Sequence, residues 1–171
     1  MSRIPIRDVN AADVRLHVNG EEHVVPVQPR VTLLDCLRDH LGMTGTHAGC
    51  EHGACGACTV QLDGEAVRAC LIYAPMAEGY SITTVEGLQP NLSELHVLQE
   101  SFWDAHALQC GYCTPGMLVA AAGLLARNAD PSQAEIREAL SANLCRCTGY
   151  VQIVEAVRLA ADRLQQRKPA P

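Results

Sequence analysis

Apolar residues alternate with polar ones at Val14, Leu16 and Val18 and again from His23 to Val27, with Asn19-Gly20 between the two runs. Period-two patterning on either side of an Asn-Gly pair predicts a β-hairpin, because both turn residues tolerate a left-handed backbone. Pro29 then breaks the strand, and Thr32 can cap a helix. Leu33, Leu34, Leu37 and Leu41 follow at helical spacing until Gly42. Gly42 to Cys58, rich in Gly, Ala and Cys, reads as an irregular loop. Thr59 to Leu62, the turn Asp63-Gly64 and Ala66 to Ile72 read as a second hairpin, and Ser81 to Val85 as a last short strand.

From Leu92 onward the periodicity is helical only, predicting helices over Ser93–Ala107, Pro115–Arg127, Ser132–Ala142 and Val151–Gln166. Ser132 with Glu135 fits a capping box, and Pro115 sits where the first helical turn tolerates proline. The pattern therefore divides the chain into an arm (1–12), a mixed α/β domain (13–86), a linker (87–92), an all-α four-helix domain (93–166) and a loose tail (167–171). Gly116 to Ala126 is apolar on every helical face, which predicts burial on all sides. A helical domain of about eighty residues struggles to supply that alone, so a partner subunit is expected to cover it.

The composition narrows the function. The chain has 171 residues and a formal net charge of -6. The acidic balance, with no Lys/Arg-rich block, argues against nucleic acid or an anionic membrane as partner. The longest apolar stretch is too short to span a bilayer. One Phe, one Trp and four Tyr leave the core to aliphatic residues. A chain of this length buries roughly 70% of its unfolded surface, so its nine Cys are not needed as disulfide staples. The first residues show no secretory pattern and nine is an odd count, so a reducing cytoplasm is expected. There, clustered Cys read as metal ligands or redox centres.

The cysteines fall into two sets. The first is Cys50-x4-Cys55-x2-Cys58, followed by Cys70 after eleven intervening residues. Three thiolates from one tight loop and a fourth from a neighbouring hairpin can surround a binuclear iron centre, in the ligand order of plant-type ferredoxins. Gly49, Gly53, Ala54, Gly56 and Ala57 let the backbone wrap closely and aim N–H groups at sulfur. Structural zinc is the competing reading, although zinc usually pairs two short knuckles. The second set is Cys110-x2-Cys113 and Cys145-x1-Cys147, two short motifs at helix boundaries separated by 31 residues. By spacing alone it stays open between zinc and iron–sulfur, with a thioredoxin-like reading of Cys110/Cys113 disfavoured by the lack of βαβ context. Cys36, between Leu34 and Leu37, reads as a small buried core residue.

Three strings carry a resemblance: Gly49-Cys50-Glu51-His52-Gly53-Ala54-Cys55-Gly56-Ala57-Cys58-Thr59-Val60, Gln109-Cys110-Gly111-Tyr112-Cys113-Thr114-Pro115-Gly116-Met117 and Asn143-Leu144-Cys145-Arg146-Cys147-Thr148-Gly149-Tyr150. In this order they resemble the small iron–sulfur subunit of the molybdenum hydroxylases, the xanthine dehydrogenase and aerobic carbon monoxide dehydrogenase family. The resemblance covers roughly residues 13–165. It implies an α+β fold, a plant-ferredoxin-like β-grasp domain followed by the four-helix domain, each holding one [2Fe–2S] cluster.

By that resemblance Cys50, Cys55, Cys58 and Cys70 hold the cluster nearer the electron acceptor, and Cys110, Cys113, Cys145 and Cys147 the one nearer molybdenum. Gln109 resembles the residue that hydrogen-bonds the pyranopterin of the molybdenum cofactor. The partners implied are a large molybdopterin-binding subunit and a medium FAD-binding subunit. The chain shows no dinucleotide fingerprint, so the expected role is electron transfer within an oxidoreductase, without a catalytic residue of its own. A free-standing ferredoxin-like carrier and a zinc-stabilised adaptor are the alternatives. His47 and His52 flank the first loop but are not needed as ligands. His96 and His106 are expected on helix surfaces, and Arg146 has no assigned role.

Overall fold

The first hairpin forms as its pattern requires, from β1 (Ala12–Val18) and β2 (Glu21–Val27). Asn19 and Gly20 both have positive φ (53° and 85°), the geometry of a type I′ turn. In the computed structural model, which describes residues 10–89 and 94–167, this hairpin is one side of a five-stranded mixed sheet of order β2-β1-β5-β3-β4. Strands β3 (Thr59–Leu62) and β4 (Glu65–Arg68) form the second hairpin, and β5 (Ser81–Thr83) runs parallel to β1 and antiparallel to β3. Residues 1–9, 90–93 and 168–171 lie outside the described residues, and with them most of the expected arm and tail, half of the expected linker and the expected helix start at Ser93.

Helix α1 (Leu33–Asp35), capped by the Thr32 hydroxyl, runs directly into a wider π-helical turn over Cys36–His40, closed by Leu41 N–H on Cys36 carbonyl at 3.1 Å. From that turn Arg38 reaches the carbonyls of Thr44 and Thr46, both at 2.9 Å, and ties down the start of the long loop. Leu33, Leu34, Cys36 and Leu37 are buried against Val14, Leu16, Val18, Val60 and Ile82 of the sheet. A helix against a mixed sheet in this order is the β-grasp arrangement.

Two strands are shorter than their patterns predict. The expected strand Ala66–Ile72 ends at Arg68, and Ala69–Leu71 is a single 3-10 turn. Ala69 and Cys70 are both buried within that turn. Strand β5 stops at Thr83 because Asn19 takes over the next residue. Its Oδ1 accepts from Thr84 N–H and its Nδ2 donates to Thr84 Oγ1, both at 2.9 Å.

The helical half contains α2 (Val97–Asp104), α3 (Thr114–Arg127), α4 (Gln133–Leu140) and α5 (Val151–Arg167). Ser132 and Glu135 form the expected capping box on α4. α2 begins later than its periodicity suggests, because His96 caps it. Leu98 N–H donates to His96 Nδ1 at 3.2 Å, and Gln99 reaches back to His96 N–H at 2.8 Å. His96 is thus a half-buried cap rather than the surface residue expected.

The two halves have separate cores, yet α3 belongs to both surroundings. Met117, Leu118, Ala121 and Leu124 face Phe102, Ile136, Ile153 and Val157 of the other helices. Its opposite side packs on β3, where Gln61 Nε2 donates to Val119 carbonyl at 3.1 Å. The chain therefore buries this helix by itself, and the expectation that a partner subunit must cover it is not met. The physical reason is that the sheet supplies the second wall. No helix among the described residues is long and apolar enough to cross a membrane.

This packing separates two glycines of α3. A Cβ on Gly116 would stand 2.3 Å from Gly56 carbonyl oxygen, whereas one on Gly123 meets nothing closer than 3.4 Å. Gly116→Ala is expected to destabilise the fold by about 1–3 kcal/mol. Gly123→Ala is expected to be neutral or stabilising by up to about 1 kcal/mol from helix propensity, and paired thermal melts check the contrast.

The cap on α2 is pH-sensitive. Burial, then Arg167, lowers the His96 pKa below the ordinary 6.5, with Glu100 opposing. Only neutral imidazole can accept the Leu98 N–H. A pKa lowered by folding means that the cap contributes fully above the ordinary value and is lost as pH falls through the folded one. Acidification below 6.5 should therefore speed amide exchange over residues 97–104 relative to intrinsic rates, and His96→Asn should remove that pH dependence while keeping the cap.

Candidate metal centres

The loop from Gly42 to Cys58 turns repeatedly through the left-handed region, at Glu51 (φ 56°) and at two positions where glycine removes the steric cost, Gly53 (83°) and Gly56 (75°). Such turns direct successive N–H groups inward. Cys55 N–H points at Cys50 Sγ (3.3 Å) and Ala57 N–H at Cys55 Sγ (3.5 Å). Gly49 has no room for a side chain, since a Cβ there would lie 2.8 Å from Cys55 Sγ. The 3-10 turn after β4 delivers Cys70 from the other side.

The four thiols gather two by two. Cys50 and Cys55 are within hydrogen-bonding reach of each other, and so are Cys58 and Cys70. Backbone N–H groups of His52 and Cys55 pull the Cys50 thiol down to about 6. Burial pushes Cys58 up to about 11. His52 does not turn toward sulfur, because its Nδ1 donates to Cys50 carbonyl at 2.5 Å.

The second set repeats the pairing at helix ends. Cys110 and Cys147, both exposed, have their sulfurs 3.5 Å apart. Cys113, the residue preceding α3, is paired with Cys145. Burial, then Cys145, pushes Cys113 up to about 12. Burial acts upward on Cys145 too, but the Thr148 hydroxyl (3.1 Å) and the Thr148 and Cys147 N–H groups outweigh it and lower the thiol. Tyr150 OH accepts Cys145 N–H at 2.8 Å and holds the turn. The Thr114 hydroxyl, next to Cys113, is buried without a protein partner and is free to donate to a sulfur acceptor.

Among the described residues no three or more His, Cys, Asp or Glu converge as one metal ion requires. Two sets of paired thiols, with inward N–H groups and a glycine cradle, fit a binuclear iron–sulfur group, which takes two thiolates on each iron. Cys36 lies fully buried in the sheet core, its thiol pushed up to about 11 by burial and then Asp35. Gln109 is exposed beside Cys110, and Arg146 is exposed between two cysteines of the second set.

The two centres are joined by residues that their patterns did not single out. Leu144 N–H donates to Cys55 carbonyl at 2.8 Å. Buried Asn143 donates to Gly56 carbonyl (2.9 Å) and Thr59 Oγ1 (3.1 Å). Arg68 donates to Thr59 Oγ1 at 2.7 Å and Ala142 carbonyl at 2.5 Å. On the other flank, His47 Nδ1 donates to Tyr112 carbonyl at 2.8 Å, Tyr112 OH donates to Ala48 carbonyl, and their rings lie 4.7 Å apart. Asn143 and Tyr112 stand inside the cysteine motifs, but nothing in the sequence pairs them with the first loop. Arg68 and Thr59 carry no signal beyond being polar residues of a hairpin.

Comparison with known proteins agrees with this geometry. Residues 16–83 match a 2Fe-2S iron-sulfur cluster binding domain, and residues 84–158 match a [2Fe-2S] binding domain. The chain is 52% identical over 145 residues to the nicotine 6-hydroxylase small subunit of Paenarthrobacter nicotinovorans, covering 85% of this chain and 87% of the relative. The crystal structure of quinoline 2-oxidoreductase from Pseudomonas putida 86 contains a chain that superposes with a TM-score of 0.88 at 46% identity, covering 94% of this chain and 99% of that one. The aldehyde oxidoreductase of Desulfovibrio desulfuricans ATCC 27774 superposes with a TM-score of 0.87 at 44% identity, covering 91% of this chain and 17% of that longer one. With two [2Fe–2S] domains in this order and a relative half identical along most of its length, the chain belongs to the small iron–sulfur subunits of the molybdenum hydroxylase family.

Proposed function

We propose that this chain is the electron-transfer subunit of a molybdenum-dependent hydroxylase or dehydrogenase. Cys50, Cys55, Cys58 and Cys70 hold one [2Fe–2S] cluster and Cys110, Cys113, Cys145 and Cys147 the other. The observation that carries the reading is the two-by-two pairing in both sets, with the two ligand loops bonded directly to each other. When bound, each cluster supplies a centre that exchanges one electron at a time. The protein's part is to hold thiolates, aim N–H groups at sulfur and shield the site. The side-chain contacts Cys50/Cys55, Cys58/Cys70, Cys113/Cys145 and Cys110/Cys147 support reading each set of four as one site, whose thiolates would hold the cluster between them.

The partners follow from exposure and from the relatives. Cys110 and Cys147 lie at the surface with Leu108, Tyr112 and Leu144 exposed around them, an arrangement suited to a subunit whose second site a partner covers. A freely diffusing carrier would leave that site open to water. The relative acting on nicotine is named a small subunit, and in the aldehyde oxidoreductase this fold is one segment of a longer chain. The partner is a large molybdopterin-binding subunit, with Gln109 reaching the pyranopterin, and a medium FAD-binding subunit takes the electrons onward. The domains are 13–86 and 93–166, joined by 87–92, a division supported by the two separate cores even though Val85 and Leu88 already lean on the helical one.

The purified complex should be red-brown and contain iron and acid-labile sulfide. A colourless, zinc-loaded protein eluting alone would overturn the assignment. Cys113→Ser should remove one EPR signal of the reduced complex, abolish turnover and leave the signal of the first cluster, and normal turnover in that variant would take Cys113 out of the ligand set.

A further inference from the structure

The ligand loop of the first centre and that of the second meet at one buried polar cluster. Asn143 is 2% exposed, and every hydrogen-bonding group of its side chain is used. Its amide donates to Gly56 carbonyl and Thr59 Oγ1, and its Oδ1 faces Arg68 Nη2 at 3.4 Å. The Thr59 hydroxyl is itself saturated, donating to Gly56 carbonyl at 2.6 Å while accepting from Arg68 and Asn143. Backbone presses in from three sides. A Cβ on Gly56 would lie 2.5 Å from Ala142 carbonyl oxygen, and one on Gly116 would lie 2.3 Å from Gly56 carbonyl oxygen and 2.9 Å from Asn143 Nδ2. A closed buried network of this kind specifies one geometry, because any displacement strands a donor or acceptor in low dielectric.

Next to this cluster lies the Leu144 N–H to Cys55 carbonyl bond, with Cys55 on one side and Cys145, one residue along, on the other. It runs from one ligand cysteine of the first set to the neighbour of a ligand cysteine of the second. We propose that Asn143 is a positioning residue that holds the two ligand loops in register, so that this bond keeps one length and direction and the two clusters keep a single mutual geometry. The inference rests on the cluster assignment made above. Asn143 touches neither cluster position itself and acts through Gly56 and Leu144. A residue that merely glued the halves together would change stability alone, whereas this one also sets how the centres sense each other.

The test uses the assembled complex and the variants Asn143→Leu, Thr59→Val and Arg68→Gln. Two readouts are taken, the dipolar splitting between the two reduced clusters by EPR after dithionite reduction, and amide exchange at Leu144. Asn143→Leu is expected to keep full iron content and both individual signals, to lose or smear the splitting, and to raise Leu144 exchange about tenfold, the effect of one lost buried hydrogen bond. A lowered melting temperature with unchanged splitting and unchanged Leu144 exchange would overturn the proposal. If Asn143→Leu does not load its clusters, Thr59→Val and Arg68→Gln, which remove other members of the network, decide the matter by the same readouts: altered splitting supports the proposal, and unchanged splitting in both defeats it. If the unsubstituted complex shows no iron–sulfur spectrum, the cluster assignment fails instead, and Leu144 exchange still reports on the Leu144–Cys55 hydrogen bond.

Discussion

The close approach of the Gly56 backbone to the first turn of α3 and to the Ala142–Asn143 turn is the contact on which the arrangement of both cysteine sets depends. At this point two segments from the helical half press on a loop of the sheet half, Gly116 directly on the Gly56 carbonyl and the Ala142–Asn143 turn through its own backbone and the Asn143 amide. Polar groups buried there must all be paired, since an unpaired one costs about 1–3 kcal/mol. Asn143, Thr59 and Arg68 do the pairing. Because Gly56 stands between Cys55 and Cys58, and Asn143 stands two residues before Cys145, whatever fixes this contact also fixes where the thiols stand.

The same contact explains how a short chain can carry two ligand sets without disulfides. Each half has its own apolar core, neither of them large. Helix α3 joins them, presenting one side to the helices and the other to β3, so that its apolar surface is removed from water by both halves. A helix apolar all round needs walls on every side, and a second layer of the same chain supplies one as well as a partner subunit could.

The cysteine chemistry shows a division of labour within each set. One thiol is eased toward its ionised form by backbone or hydroxyl donors, Cys50 in the first set and Cys145 in the second. Another is held high by burial, Cys58 and Cys113. In the proposed clusters iron would supply the positive charge that the buried thiols lack, so that metal and protein charges would compensate. Buried thiols shield the site, while exposed Cys110 and Cys147 leave the second centre accessible from one direction.

The sequence by itself determined the hairpins, the helices from α3 onward, the Ser132 cap and the division of nine cysteines into two sets of four and one core residue. The elements are read from short-range patterns, alternation, helical periodicity and positive-φ turn residues, which act within a few residues of one another, whereas the cysteine grouping also drew on the order of three motifs along the chain. Strand ends and the start of α2 were less legible, because they are decided by partners far along the chain. Asn19 ends β5 across a gap of 65 residues. The sequence also left the burial of α3 to be assigned to the wrong partner. Only the tertiary structure decided which thiols pair, and only it brought Arg68, Thr59 and Asn143 together, since a buried hydrogen-bond network between segments some 75 to 87 residues apart leaves no periodic trace in either segment.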